Sequence, residues 1–432
     1  MSSDTRLKVL VSAFNFSPLK GSEFAIGWDY VRAIAENHQV WVIARDLERQ
    51  ETEGFLRQHP QVMPGLVVHY VPWTKMSWDF PLWEVVHSYL WRKWQRQAYK
   101  LARDLDAKID FDLIHHVTGT GFREPGYLWK LGKPFVWGPV GGMQYFPLRL
   151  LNAVPLVSRP FFIAKNCANF WSMHVSRRPR KVASRARIVI AGTGEAANRI
   201  QSLWGREAPI LCEVSAPERE SIAPRRRLPG EKFRIIWSGN FETRKALNIV
   251  LQALARLHET SIDWELVCLG SGPLENRWKS LAGHYGIAGR CSFLGRLPRE
   301  RAIEIMSTGH CFVQPSLYDA TSSVVLEALA AGLPVVCLDH FGFRDVVDAS
   351  CGVRIKPGGL EQVVRDFAVA LRDLALDEEQ RYRKALAAGS ASVNYTWRSK
   401  AKALHDIYQS IGAGSNCDPI HSIECAGSNV RQ

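Results

Sequence analysis

The sequence predicts an α/β chain of two Rossmann-like domains. Short apolar strands alternate with helical segments, a proline- and charge-rich stretch interrupts them near the middle, and the same alternation then restarts. A chain of 432 residues is also too long for one compact core, so two domains of about 200 residues each are expected.

The first domain opens on the apolar strand LKVLVSAF. A loop with Pro18 and Gly21 follows, then a helix from about Ser22 to Asn37 and the strand QVWVIAR at 39–45, which together make a βαβ opening. DLIHHV (112–117), PFVWGPV (134–140) and ARIVIAG (186–192) continue the series. SAPERESIAPRRRLPGE (215–231) has no apolar period and reads as a linker. FRIIWSG (233–239) starts the second domain, whose first helix repeats Leu247, Val250, Leu251, Leu254 and Leu257 at the spacing of one buried face. WELVCLG (264–270), CSFLG (291–295), CFVQPS (311–316) and PVVCLD (334–339) are its other strands, and Val363, Val364, Phe367, Leu371 and Leu374 form a late helix face. The resulting boundaries are 1–214, a linker at 215–230, 231–396, and a last helix at 397–411 that can cross back to the first domain. The tail, 412–432, has neither period nor core and is expected to be disordered.

Composition narrows the class. With 46% hydrophobic and 22% charged residues the chain sits near globular averages, which excludes collagen-like repeats and coiled coil. It has no run of about 18 apolar residues and enters a strand without a secretory leader, so a cytoplasmic location is expected. Nine dispersed cysteines, without a C-x-x-C pair or zinc-like histidine spacing, read mostly as buried small hydrophobes in a reducing compartment rather than as metal ligands. The net charge of +13 favours an anionic partner: nucleic acid, a phosphorylated substrate or an acidic membrane surface.

Ligands of such parallel sheets bind beyond the carboxyl ends of the strands. LGSGP (269–273) places Gly270 and Gly272 at such an end, either for a turn or for close backbone approach to a ligand. WSGNFETRKAL (237–247) sets Arg244 and Lys245 between a strand and a helix start, where they hold an anion or are simply solvated. In YDATSSVVLEALAAGLPVV, Thr321, Ser322 and Ser323 stand at a helix N-terminus, whose amides and dipole favour phosphate. Asp319 and Glu327, about two turns apart, suit sugar hydroxyls, although spacing alone slightly favours an N-cap and an exposed helix residue.

From Ile235 to Lys356 these segments resemble the C-terminal domain of the retaining family 4 glycosyltransferases. The resemblance lies in a strand ending in Gly239, the Arg244-Lys245 step, LGSGP, FLG (293–295), QPS (314–316) and the acidic pair around LEALAAGLPVV. It implies the GT-B fold, two Rossmann-like domains facing each other across a cleft. It also implies a UDP-, GDP- or ADP-linked sugar donor, retention of anomeric configuration, and no metal or other cofactor. Lys245 is then expected to clamp the donor diphosphate, Glu327 to bind ribose, and Asp319 to contact the donor sugar as a catalytic residue. Thr321 and Ser322, with Ser323 beside them, stand where the family has Phe-Gly amides on phosphate. Two departures stand out: Asn240 replaces the arginine that commonly follows Gly239, and Asp319 is one methylene shorter than the usual glutamate. In SPLKGSEFAIGW (17–28), Gly21 and Ser22 stand for the family's glycine loop over the donor phosphates. No histidine aligns with the family's catalytic-site histidine, because GPVGG (138–142) follows KPFVW there. His115 and His116 are the nearest substitutes, with His116 the candidate and a packed histidine the commoner alternative. GPVGG itself reads as backbone approach to substrate or as a plain turn.

Trp73, Trp78, Trp83, Trp91 and Trp94 crowd a segment rich in Arg92, Lys93, Arg96 and Lys100, and residues 161–187 join aromatics to six basic residues after Val175. Aromatic and basic residues together suit a membrane headgroup interface, with core packing plus a solvated basic face as the alternative. Peripheral contact with the anionic inner face of the cytoplasmic membrane is therefore expected, with a lipid-linked or polysaccharide acceptor. A sugar-nucleotide epimerase of the same architecture and a basic nucleic-acid-binding protein are competing classes. The LEALAAGLPVV context argues against the first, and the lack of a recognisable RNA-binding motif against the second.

Overall fold

The structure, a computed structural model, describes residues 6–21, 23–74, 83–119, 121–218, 224–258 and 260–412. Its described residues form two compact units, each discontinuous in sequence. One gathers residues up to Met143, Trp171–Ser215 and Trp397 onward, and the other gathers Gln144–Phe170 and Ala216–Thr396.

The first unit is a parallel sheet of β1 (Lys8–Ser12), β2 (Gln39–Arg45), β3 (Val67–Val71), β4 (Leu113–His116), β5 (Phe135–Val140) and β6 (Ile188–Ala191). Its order is β3-β2-β1-β4-β5-β6, which reverses direction between β1 and β4. The strands are near-continuous apolar runs because helices cover both faces. Two of them, α1 (Glu23–Ala35) and α2 (Arg49–Gln58), flank β2, and α3 (Trp83–Ile109) leads into β4. Among its described residues, the tryptophan-rich segment packs Trp91 and Trp94 into the core. Trp91 and Trp94 are buried around Phe14, and the Trp94 indole donates to the Val71 carbonyl at 3.1 Å. Trp78 and the Trp83 side chain lie outside the described residues. Gly138 is part of β5, not of a substrate loop: a methyl there would lie 2.2 Å from the Ile190 carbonyl oxygen, so the approach of β6 accounts for this glycine.

The second unit repeats the plan with β7 (Phe233–Ser238), β8 (Trp264–Leu269), β9 (Cys291–Phe293), β10 (Cys311–Gln314), β11 (Val335–Leu338) and β12 (Gly352–Ile355), ordered β12-β11-β10-β7-β8-β9 and all parallel. Between β3 and β12 the chain also forms, in order, α4 (Arg159–Val175), α5 (Arg177–Arg185), α6 (Gly194–Trp204), α7 (Leu247–His258), α8 (Glu275–His284), α9 (Arg299–Met306), α10 (Ser323–Ala330) and α11 (Phe343–Val346). Then α12 (Leu360–Leu376), α13 (Glu378–Ser392) and α14 (Trp397–Gly412) close the described chain.

Two segments depart from a single break near residue 214. Residues 144–170, sited in the first half of the sequence, belong to the second unit, where Phe146, Leu150, Val154 and Phe162 join the core of Trp237, Leu247 and Phe367. At about 1.5–3 kcal/mol for each fully buried side chain, this burial holds the segment there. Stretch 224–231 is no loose linker either: Arg227 donates to the Ala375 carbonyl at 2.6 Å, and buried Arg381 donates to the Arg225 carbonyl at 2.8 Å. The last helix, α14, packs with the first unit through a Tyr408 hydroxyl 2.6 Å from His115 Nδ1 and a buried Lys400 that donates to Ser215 Oγ at 2.8 Å. The tail expected beyond it lies outside the described residues.

The buried His115, His116 and His310 and the half-buried His340 are held neutral. Burial pushes His115 down from 6.5 to about 3, and His116, His310 and His340 down to about 4. Unfolded, these imidazoles take up a proton near pH 6.5; folded, they resist until about pH 4 or below. The unfolded chain therefore binds more protons in that window, and stability that is complete above pH 6.5 is lost as pH falls toward 4. Calorimetric Tm is expected to drop steadily from pH 6.5 to 4, and His116→Asn to flatten the slope; a Tm independent of pH across this range would contradict the assignment.

Candidate functional site

In the second sheet the chain leaves β7 for β8 and β9 on one side, then returns to β10 on the other, so the switch point lies between β7 and β10. The loops beyond those two strand ends are where such a sheet opens a crevice for ligand. Lys245 and Asp319 meet there.

The loop after β7 ends in a single tight turn, Thr243–Lys245, with Ala246 at φ +45°. This turn buries Lys245 and carries its stem past Gly239. Its ammonium pairs with one Asp319 carboxylate oxygen and lies 3.5 Å from Ser322 Oγ. Arg244 reaches the other Asp319 oxygen at 3.3 Å and Glu242 at 2.9 Å, while its carbonyl accepts the Leu317 amide at 2.8 Å. Asp319 is thus an ion-pair centre in the loop after β10, not the N-cap of α10. Ser322 is the N-cap, and its side chain makes no capping bond to the amides that follow. Thr321 and Ser322 are buried, Ser323 opens α10, and the loop is braced from the far side by Gln144, which donates to the Asp319 carbonyl at 3.1 Å.

Glu327 is buried on α10 rather than exposed, and Arg299 at the start of α9 donates to it at 2.8 Å. Asn240 carries no charge, but Arg296 donates to its side-chain oxygen at 3.4 Å and sets a guanidinium beside it. Sequence reasoning missed Arg296 and Arg299; the only local signal is the RLPRE run after FLG. It also missed His340, which bonds the Ser316 carbonyl at 2.9 Å on the same set of loops.

Gly270 and Gly272 have a reason in the fold itself. A methyl on Gly270, whose φ is +127°, would lie 2.0 Å from the Gly239 carbonyl oxygen, and one on Gly272 2.8 Å from the Phe241 nitrogen. The two strand-end loops are zipped together by Gly239 N–H to Leu269 and Phe241 N–H to Ser271 carbonyls at 2.9 and 3.0 Å. Of the remaining candidates, Gly21 and His116 belong to the first unit, and Ser22 lies outside the described residues. His115 is a packing residue, bonded to Tyr408 and the Gly138 carbonyl. His116 is fully enclosed, with no hydrogen-bond partner for either ring nitrogen among the described residues.

Residues 218–388, most of the second unit, match the family described as glycosyl transferases group 1. That stretch is a group 1 glycosyltransferase domain. The chain is 29% identical over 226 residues to the sulfoquinovosyl transferase SQD2 of Arabidopsis thaliana, covering 50% of this chain and 41% of that protein. It is 29% identical over 319 residues to the D-inositol 3-phosphate glycosyltransferase of Corynebacterium jeikeium, covering 67% and 74%. The match thus spans less than half of the first relative and about three quarters of the second. Among solved structures, Anabaena Alr3699/HepE in complex with UDP superposes with a TM-score of 0.60 at 14% identity, covering 94% of this chain and all of that one. The same protein has been solved with UDP-glucose. These likenesses place both units of this chain in the GT-B fold.

If the glycine at the zipped strand ends serves the fold, Gly270→Ala is expected to destabilise the chain by about 3 kcal/mol, through strain at positive φ and a backbone clash. A urea titration checks this, and an unchanged midpoint would return Gly270 to a ligand role alone.

Proposed function

We propose that the chain moves a sugar from a nucleotide-sugar donor to a lipid-linked or polysaccharide acceptor, with retention of anomeric configuration, at the cytoplasmic face of the membrane. The observation that carries the reading is the Lys245–Asp319 ion pair at the β7/β10 switch point, beside the N-cap of α10. The crystallisation of HepE, which shares the fold, with UDP and UDP-glucose supports a nucleotide donor.

In this reading the donor diphosphate lies against Lys245, Arg244 and the amino end of α10 through Thr321, Ser322 and Ser323. Charge grows on the leaving β-phosphate as the glycosidic bond breaks, and fixed cations and helix amides stabilise it without reorganising. Lys245 suits that task because its stem is buried and its ammonium already sits in place. Asp319 holds the two cations in the free protein and turns to the donor sugar once the diphosphate shares them. Glu327, fixed by Arg299, accepts the ribose hydroxyls. Arg296 beside Asn240 supplies the second cation that Asn240 itself cannot.

A screen of UDP-, GDP- and ADP-sugars with the purified chain is expected to give turnover with one nucleotide, in EDTA, with the product anomer matching the donor by proton NMR. Lys245→Ala is expected to lower kcat/KM by ~100-fold or more, whereas Arg296→Ala raises the donor KM about tenfold and leaves kcat nearly unchanged. An inverted product, or full activity in Lys245→Ala, would refute the reading.

A further inference from the structure

We infer that the outward face of α4, with the turn leading into it, is a docking surface for an anionic lipid bilayer. One face of α4 is pinned to protein: Phe162 stacks on Phe146 at 4.3 Å, Asn166 bonds both the amide and carbonyl of Phe146 at 2.8 Å, and Asn169 donates to the Gln144 carbonyl at 2.7 Å. The opposite face presents Phe161, Ala164, Ala168, Trp171 and Val175, all exposed and spaced three and four apart, a stripe without a single charged residue. Ahead of the helix Leu156 is 73% exposed and Val157 89%, and on it Phe161 is 54% and Trp171 66%. Eight of the nineteen large hydrophobic side chains exposed among the described residues fall between Leu148 and Val175, so the apolar surface is concentrated rather than scattered.

Charge names the occupant. Residues 125–194 hold eleven lysines and arginines and no aspartate or glutamate, where the chain average would place about seven acids. Arg177, Arg180 and Lys181 follow directly on the end of the helix and are exposed. An apolar stripe with tryptophan and phenylalanine, followed by exposed cations and with the neighbouring acid Glu124 already paired to Arg178 at 2.6 Å, matches a headgroup layer that is negative at its surface and apolar just beneath. A purely polyanionic partner would leave the stripe unused. No described helix is long and apolar enough to cross a membrane, so contact through this face is peripheral. The inference goes beyond the donor-site reading and does not rest on it.

The test is cosedimentation of the full chain with phosphatidylcholine vesicles containing roughly 30% phosphatidylglycerol, against pure phosphatidylcholine, at low and high salt. Binding is expected to the anionic vesicles at low salt and to weaken with salt, and Phe161→Glu with Trp171→Glu is expected to cut the bound fraction about tenfold. Both positions are exposed, so the variant's Tm and its UDP affinity by calorimetry are expected to match the wild type. Equal vesicle binding by the variant, no binding by the wild type, or a wild-type dimer that the variant abolishes would each overturn the inference. A wild type that binds vesicles but no nucleotide would instead count against the donor-site reading alone.

Discussion

A buried ammonium must find an anion, or its desolvation works against folding. Lys245 finds Asp319, and that single constraint ties the loop after β7 to the loop after β10, the two strands between which the second sheet changes direction. Much of the local construction serves this meeting. The tight turn and left-handed Ala246 aim Lys245 inward, the Arg244 carbonyl holds the Leu317 amide, and Gln144 fixes the backbone of Asp319 itself. Because Arg244 shares the same carboxylate, the three side chains form one small charged network.

Charge and shape are separated in this part of the chain. The strand-end glycines, which sequence alone leaves open between turn and ligand contact, allow close backbone packing between the β7 and β8 loops. The cations, in contrast, are arranged in two groups: Lys245 and Arg244 around Asp319, and Arg296 at Asn240, with Arg299 on Glu327. Polar chemistry is thus supplied by side chains on loops, while the loops owe their positions to glycine contacts and main-chain bonds. This division is the usual one in parallel α/β sheets, where variable loops sit on a rigid frame.

Much of this was legible in the sequence, for physical reasons. Strands buried on both faces read as apolar runs, and α7 and α12 show a single buried face at helical spacing, so both sheets could be placed from local pattern. The Lys245 and Asp319 positions followed from resemblance to a family motif. What local pattern could not show was long-range pairing. Residues 144–170 contain ordinary apolar residues whose partners, Trp237 and Leu247, lie about a hundred positions away, and nothing in the segment names its unit. Arg296 and Arg299 carry no local signal of a role because their partners Asn240 and Glu327 come from other elements. The tryptophans misled in the other direction: Trp91 and Trp94 have the composition of an interface but enclose Phe14. The exposed stripe lies on α4, within the segment 161–187 that also reads as aromatic and basic, where two alanines separate Phe161 from Trp171.

The crossing of the chain between its units bears on how it is made. The second unit takes its brace from residues 144–170 and its last described helix, α13, from 378–392, while the first unit is closed only by α14. During synthesis, therefore, the amino-terminal sheet emerges early, but His115 lacks the Tyr408 hydroxyl until α14 has followed the second unit out of the ribosome. The second unit is complete in sequence before the first, and a nascent chain paused anywhere in the second sheet holds two incomplete cores at once.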